Sequence, residues 1–335
     1  MRTASLWKLT AGGLAAGLVL TGCGTTAEGG AAAGGGTEEG AITGLQVMVP
    51  NSPGSGYDTT ARAWAQVLED EGLAESIEVF NLEGAGGTVG LQRLVNEEGN
   101  AGMLMQMGLG VVGAQYSNNS EATLDQTTPI ARLIEEAEAI VVPANSEFQT
   151  LDDLIAGWQA DPGGTPVGGA SNPGGPDHLT PMLLAQEVGV TPTDVNYVPY
   201  DGGGELLAGI LGNDVDFAAT GIGEVAESAA AGDVRILAVT SEAPVEGVDA
   251  PTLTEAGVDL TFTNWRGVVA APGISDEEQQ RFVDAVTAMA ESDAWQQVLE
   301  DQGWTDAFLS GNEFSSFLQE ESDRVAGVLG ELGLT

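Results

Sequence analysis

Short apolar runs that read as β-strands alternate along this chain with amphipathic stretches that read as helices, and the joints between them are rich in glycine. Leu45 to Val49 leads into Pro53-Gly54-Ser55-Gly56-Tyr57-Asp58, and Ile77 to Phe80 leads into Gly84-Ala85-Gly86-Gly87-Thr88. A chain that alternates in this way folds into parallel or mixed sheets with helices on both faces. In open α/β sheets, ligands bind beyond the carboxyl ends of the strands, where such loops lie. A glycine loop that opens onto a helix aims backbone N–H groups and a helix N-terminus at one spot. That spot binds an anion without any cationic side chain.

The same arrangement recurs. Met103 to Met107 reads as a strand followed by Gly108-Leu109-Gly110. Its methionines read as alternation in a buried strand, since no Cys or His accompanies them. Ala139 to Val142 and Val167 to Ala170 are further strands. The second of these runs into a third glycine loop, Ser171-Asn172-Pro173-Gly174-Gly175-Pro176-Asp177-His178, ahead of a helix from Leu179 to Val188. A strand at Val195 to Val198 precedes Pro199-Tyr200-Asp201-Gly202-Gly203-Gly204. Thr252 to Ala256 reads as a short helix and Arg266 to Ala271 as the last strand. Everything after Ser275 reads as helical, with Ser275 as N-cap and Glu278 as the N3 partner of a capping box. The economical geometry is two lobes whose loop-bearing edges face one cleft, with the C-terminal helices returning to cover the first lobe. No loop has the lysine of a P-loop or the dinucleotide fingerprint in strand–helix context.

Charge narrows the partners. The chain carries 50 acidic residues against 9 basic ones, a formal net charge of −41. That excludes nucleic acid as a partner, because phosphate binding needs basic patches. The apolar content is ordinary, so the acidity reads as a solvated surface suited to high salt, where self-repulsion is screened.

The N-terminus reads as an address rather than as fold. Arg2 and Lys8 precede an apolar run from Leu9 to Leu20, and Leu20-Thr21-Gly22-Cys23 looks like a bacterial lipobox. Residues 1–22 are expected to be a signal peptide, with Cys23 lipidated as a membrane anchor and 23–41 a flexible tether. Cys23 is the single cysteine, so no intrachain disulfide forms.

Several residues carry alternative readings. Asp58 braces its loop or caps the helix, or else it contacts the ligand. Tyr57 packs, or closes over a ligand and donates a hydrogen bond. Tyr200 sits between a strand and a glycine turn and reads as a ligand contact. His178 is the sole histidine, and with no nucleophile or orienting partner marked it reads as structural. Trp265 reads as hinge packing rather than as an aromatic wall of the site. Arg132 and Arg266 either form internal ion pairs or clamp a carboxylate bidentately. No metal and no cofactor is expected, and no catalytic residue.

The first loop with Asp58, the run Asn81-Leu82-Glu83-Gly84-Ala85-Gly86-Gly87 and the triplet Asp177-His178-Leu179 resemble the receptors of tripartite tricarboxylate transporters, the Bug-type extracytoplasmic solute receptors. So do Val198-Pro199-Tyr200-Asp201-Gly202-Gly203, Leu237-Ala238-Val239-Thr240-Ser241, Ala250 to Gly257 and Trp265-Arg266-Gly267. The resemblance runs in order over nearly the whole chain beyond the tether. Ser55, Glu83, Gly175 and Asp201 depart from the family's usual residues. The resemblance implies a two-lobed periplasmic-binding-protein fold of the second type: α/β, with mixed sheets flanked by helices and a cleft between lobes. Lobe 1 is expected at 42–140 plus 265–335 and lobe 2 at 141–264.

It also implies a ligand-binding set of Ser55, Gly56, Tyr57, Asp58, Gly86, Gly87, Thr88 and Gly108, with Ser171, Asn172, Gly174 and Tyr200 approaching from the other lobe. The implied function is capture of a small carboxylate, a di- or tricarboxylate, for delivery to a two-subunit integral membrane permease. The receptor would be a monomer at the outer face of the cytoplasmic membrane. Alternatives are presentation of the ligand to a sensor kinase, or an aromatic carboxylate as ligand. An extracellular hydrolase would need a nucleophile–base pair that the sequence does not mark.

Overall fold

The structure, a computed structural model, describes residues 40–200 and 202–334. The leader, Cys23, the tether up to residue 39 and Asp201 lie outside the described residues. In chain order the elements are β1 (Ile42–Thr43), β2 (Gln46–Val49), α1 (Gly56–Asp70), β3 (Ala74–Glu75), β4 (Glu78–Asn81), α2 (Thr88–Val95), β5 (Met103–Gly108) and α3 (Leu109–Ser117). There follow β6 (Thr128–Pro143), α4 (Leu151–Ala160), β7 (Val167–Gly169), α5 (Pro176–Glu187), β8 (Tyr197–Pro199), α6 (Gly203–Gly212), β9 (Phe217–Gly221), α7 (Ile222–Ala231) and β10 (Val234–Val239). The chain ends with β11 (Thr263–Ala270), α8 (Asp276–Ala290), α9 (Asp293–Gln302), β12 (Thr305–Ser310) and α10 (Gly311–Glu331).

One strand organises the sheet. β6 is 16 residues long. Its first part pairs antiparallel with β11 and β12, and its second part with β9 and β10. Outward from β11 lie β5, β2 and β4, and outward from β9 lie β7 and β8. β2 is parallel to β4 and β5, and β7 is parallel to β8 and β9, so the sheet is mixed.

Side-chain alternation distributes the core. On β5, Met103, Met105 and Met107 enter a cluster with Leu91, Trp265 and Phe314, whereas Leu104 joins Trp64, Phe282 and Trp295 on the opposite face. On the second part of β6, Ile140 and Val142 pack with Trp158 and Phe217, while Ala139 and Val141 meet Leu206, Ile210 and Val225. Both faces of the sheet are covered by helices, which is why these strands read as continuous apolar runs. A buried polar link stitches the first part. Trp64 Nε1 donates to Gln106 Oε1 at 2.8 Å, and Gln106 Nε2 donates to the Gly267 carbonyl at 3.1 Å.

Three expectations are corrected, and one helix, α3, stands where the sequence marked no element. The chain beyond Ser275 is not all helical, because β12 adds an edge strand against β6. α3 is a helix that follows Gly108 directly; it is buried nearly all round, so it shows no amphipathic period. Thr252 to Ala256 closes only a turn, with Thr252 and Glu255 hydrogen-bonded to each other. The strand expected at Ala139 to Val142 begins at Thr128, because Arg132, Glu135, Glu136 and Glu138 hide its first part from an apolar pattern. The capping box at Ser275 and Glu278 is present.

Candidate functional site

The glycine loops converge on one cavity of about 800 Å³. The first turns of α1, α3, α5 and α6 reach its wall through Gly56, Gly110, Pro176 and Gly203. Each helix start carries partial positive charge and N–H groups without an intrahelical partner.

Sequence dictates the shape of the first loop. Ser55 caps α1, its Oγ accepting from the Asp58 N–H at 3.3 Å. Asp58 turns back into the loop. Its Oδ2 accepts from the Gly54 N–H at 2.9 Å and from Arg62 Nε at 3.0 Å, and its Oδ1 accepts from Asn81 Nδ2 at 3.0 Å. Burial raises the Asp58 carboxyl, but the hydrogen bonds from Arg62, Gly54 and Asn81 outweigh it and hold the group below its ordinary value.

The second loop needs glycine. Gly84, Ala85, Gly86 and Gly87 have φ of 143°, 48°, 64° and 100°, a succession of left-handed residues that few side chains tolerate. A Cβ on Gly86 would lie 2.7 Å from the Ala114 Cβ of α3, so the loop is also packed tightly from behind. Asn118 Nδ2 holds the loop by donating to the Ala85 carbonyl at 2.9 Å.

The third loop is fastened by Asp177, whose Oδ2 accepts from the Ala170 N–H and whose Oδ1 accepts from Ser171 Oγ, both at 2.7 Å. His178 lies behind it, with Nδ1 accepting from the Gly174 N–H at 3.2 Å and the ring edge-on to Tyr197. Burial lowers His178 to about 4, so it is a neutral brace. Gly174 and Gly113 of α3 touch backbone to backbone; a Cβ at position 113 would collide with the Gly174 carbonyl.

Of the residues expected to bind ligand, Ser55, Gly56, Tyr57, Gly86, Ser171, Asn172 and Tyr200 line the cavity. Asp58, Gly87, Thr88, Gly108 and Gly174 stand behind its wall rather than on it. Asp58 is taken up by its own loop, Thr88 Oγ1 donates to the Ala85 carbonyl, and Gly108 abuts the Tyr57 ring. The Tyr57 hydroxyl lies by Gly110, and burial, opposed by Arg266, pushes it up to about 12. Tyr200 lines the cavity, while its ring packs against Gly168 and its hydroxyl against Gly209 of α6.

The two arginines have different fates. Arg132 Nε donates to the Ala307 carbonyl at 2.7 Å, tying β12 to β6, and does not reach the cavity. Arg266 does. Its Nη2 pairs with Glu136 Oε2 at 2.7 Å and its Nη1 reaches Thr60 Oγ1 at 3.2 Å. Its Nε is buried without a hydrogen-bond partner, and the guanidinium lies directly beside Gly56 of the first loop. Trp265 next to it is fully buried, with Nε1 donating to Glu321 at 3.0 Å.

Sequence reasoning did not single out Asn264, Glu224, Glu136 and Glu138. Asn264 and Glu224 line the cavity. Glu136 and Glu138 stand two apart on β6, on one face. Charged residues at alternate positions before the apolar run of Ala139 to Val142 were the available signal.

Known proteins are similar to this chain in sequence and in fold. Protein BugT of Bordetella pertussis (strain Tohama I) is 26% identical over 296 residues, covering 86% of this chain and 89% of the relative. A Rhodopseudomonas palustris protein solved with adipate, Rpa4515, superposes with a TM-score of 0.76 at 21% identity, over 87% of this chain and 97% of that one. MatC from the same organism, solved with malate, has a TM-score of 0.72 at 23% identity, over 86% and 99%. The fold is therefore the two-lobed periplasmic-binding-protein α/β fold, a mixed sheet flanked by helices. The model of the tripartite tricarboxylate transporter family receptor matches residues 60–334. With the fold and more than half the chain matched, this chain belongs to that family of extracytoplasmic solute-binding receptors.

Proposed function

We propose that this chain is a lipid-anchored extracytoplasmic receptor, without enzymatic activity, that captures a small carboxylate in the cavity described above and delivers it to a two-subunit membrane permease. One observation carries the reading: four helix N-termini and the left-handed Gly84–Gly87 loop surround a cavity that, among the described residues, has Arg266 as its single arginine. That arginine is already paired with Glu136, so backbone dipoles supply the attraction for an anion. Ser55, Gly56, Tyr57 and Gly86 hold one carboxylate, with the unpartnered Arg266 Nε beside them. Ser171, Asn172 and Tyr200 approach from the opposite wall. Adipate and malate, named with the two neighbouring structures, support a di- or tricarboxylate as the starting class.

The lobes are assigned to 42–140 plus 265–335 and to 141–264, and ligand shifts them toward a closed form through its greater affinity for that form. The receptor acts as a monomer, held to the membrane through Cys23. A thermal-shift panel of citrate, succinate, glutamate, nicotinate and terephthalate, with sugars as controls, tests the reading. At least one carboxylate raises Tm in a dose-dependent way; a panel in which only sugars do so overturns it.

A further inference from the structure

The first loop forms the cavity wall from Asn51 to Gly56, and little holds it from within. Two hydrogen bonds run inside it: the Ser52 N–H donates to the neighbouring Asn51 Oδ1 at 2.8 Å, and the Ser55 N–H donates to the Ser52 carbonyl at 3.2 Å. Asn51, Pro53 and Gly54 are exposed. Ordering such a loop at the moment of binding would cost affinity. Its N–H groups meet a ligand in one arrangement only if something outside the loop fastens it.

The fastening comes from Asn81, the last residue of β4. Its Nδ2 donates to the Asn51 carbonyl at 2.9 Å and to Asp58 Oδ1 at 3.0 Å. Asn51 opens the loop, and Asp58 lies in the first turn of the helix that closes it. One amide nitrogen therefore grips both ends. Asn81 Oδ1 accepts from Arg62 Nη2 at 3.2 Å, and the same Nη2 stands 2.9 Å from Asp58 Oδ1. Both hydrogens and the oxygen of the carboxamide are in use. The partners also fix which way round it sits, because a carbonyl and a carboxylate only accept and a guanidinium only donates.

Backbone ties Asn81 to the second loop as well. It pairs in register with Val49 in the parallel β2–β4 ladder, and the Leu82 N–H donates to the Val49 carbonyl at 2.8 Å. Glu83, next in the chain, is already on the cavity wall. The Asn81 side chain thus sets the first loop against the strand from which the second one springs. Asn81, Asp58 and Arg62 do not themselves line the cavity. Other side chains fail here for definite reasons. Aspartate would turn an acceptor toward the Asn51 carbonyl and the Asp58 carboxylate, leucine keeps the shape but donates nothing, and glutamine is longer by a methylene.

Resting on the carboxylate reading above, we propose that Asn81 is the positioning residue of the carboxylate cradle. It holds the first loop by its two ends, in register with the second, and so sets affinity without touching the ligand.

Titration calorimetry on the full chain tests this, with whichever of citrate, succinate, glutamate, nicotinate and terephthalate raises Tm most. Asn81→Leu adds no charge. It is expected to bind about tenfold or more weakly, with unchanged stoichiometry and a free-protein Tm lowered by only a few degrees. Asn81→Asp sets a like charge against Asp58 and is expected to bind more weakly still. The exchange Asp58→Asn with Asn81→Asp keeps the total charge and restores a donor–acceptor pair between the two positions. It is expected to bind at least about threefold more tightly than Asn81→Asp alone. A merely structural Asn81 would not be rescued by a second change that itself removes a native side chain. Asn81→Leu binding within about threefold of the parent overturns the proposal. So does an exchange variant no tighter than Asn81→Asp, whatever Asn81→Leu does. In both cases the carboxylate reading survives through the acid that the parent binds. If the parent binds none of these acids, both fall together.

Discussion

Arg266 on β11 and Glu136 on β6 form a buried ion pair, Nη2 to Oε2 at 2.7 Å, with side chains 7% and 9% exposed. The pair joins neighbouring strands beside the cavity, which Arg266 lines. Removing one member of a buried pair leaves an uncompensated charge and costs about 3–5 kcal/mol. Arg266→Met is therefore expected to lower stability by that amount in urea unfolding. The double variant Arg266→Met with Glu136→Gln is expected to recover most of the loss, because it strands no charge. Equal destabilisation in the single and double variants would mean that packing, not charge, sets the cost.

Gly113 on α3 and Gly174 in the third loop touch backbone to backbone. Within a helix Ala is favoured over Gly by about 1 kcal/mol, so Gly113→Ala does not weaken α3 itself. Its methyl group instead wedges the third loop away from α3. We expect ligand affinity to fall about tenfold or more, with the Tm of the free protein changed by only a few degrees. Unchanged affinity would show that the contact is not needed in the bound form.

Glu224 gives a pH signature. Its folded-state value is raised to about 7 from 4.5. The folded form holds the proton more tightly than the unfolded chain, so this carboxyl contributes most below pH 4.5 and the contribution is lost as pH rises through about 7. Ligand-free Glu224→Gln is expected to be more stable than the parent at about pH 8, with the difference vanishing near pH 4. Parallel Tm curves for the two proteins across that range would contradict the raised value.

His178 has the opposite sign. Burial lowers it from 6.5 to about 4, so its contribution is present above pH 6.5 and is lost as pH falls through about 4. The loss amounts to about 3 kcal/mol. His178→Gln keeps an acceptor for the Gly174 N–H and removes the titration. Its acid limb is expected to be flatter than the parent's between about pH 4 and 7 in a Tm series.

The loops were legible in the sequence because glycine and helix-cap chemistry are local. Ser55 before Asp58, and the Gly84 to Gly87 run before Thr88, announce turn and helix start within a few residues. The strands with both faces covered were legible as apolar runs. What was hidden depended on distant partners. β12 is an edge strand made by pairing with β6, and α3 is buried on nearly all faces, so neither carries a period of its own. The first part of β6 was hidden by its charged residues, Arg132, Glu135, Glu136 and Glu138. Glu136 meets its arginine from a residue 130 positions away, and no local pattern encodes that. Asp58, by contrast, has its cation four residues on, at Arg62, and reading it as a loop brace needed only helical spacing.

The central claim is that backbone groups at the first two loops hold a ligand by its carboxylate. The tightest-binding acid from the panel, titrated calorimetrically against its own methyl ester at the same ionic strength, tests this without altering the protein. Esterification removes the negative charge and leaves the shape nearly intact. The ester is expected to bind about a hundredfold more weakly, the worth of one or two charge-assisted hydrogen bonds. Equal affinity for acid and ester would contradict the carboxylate cradle directly.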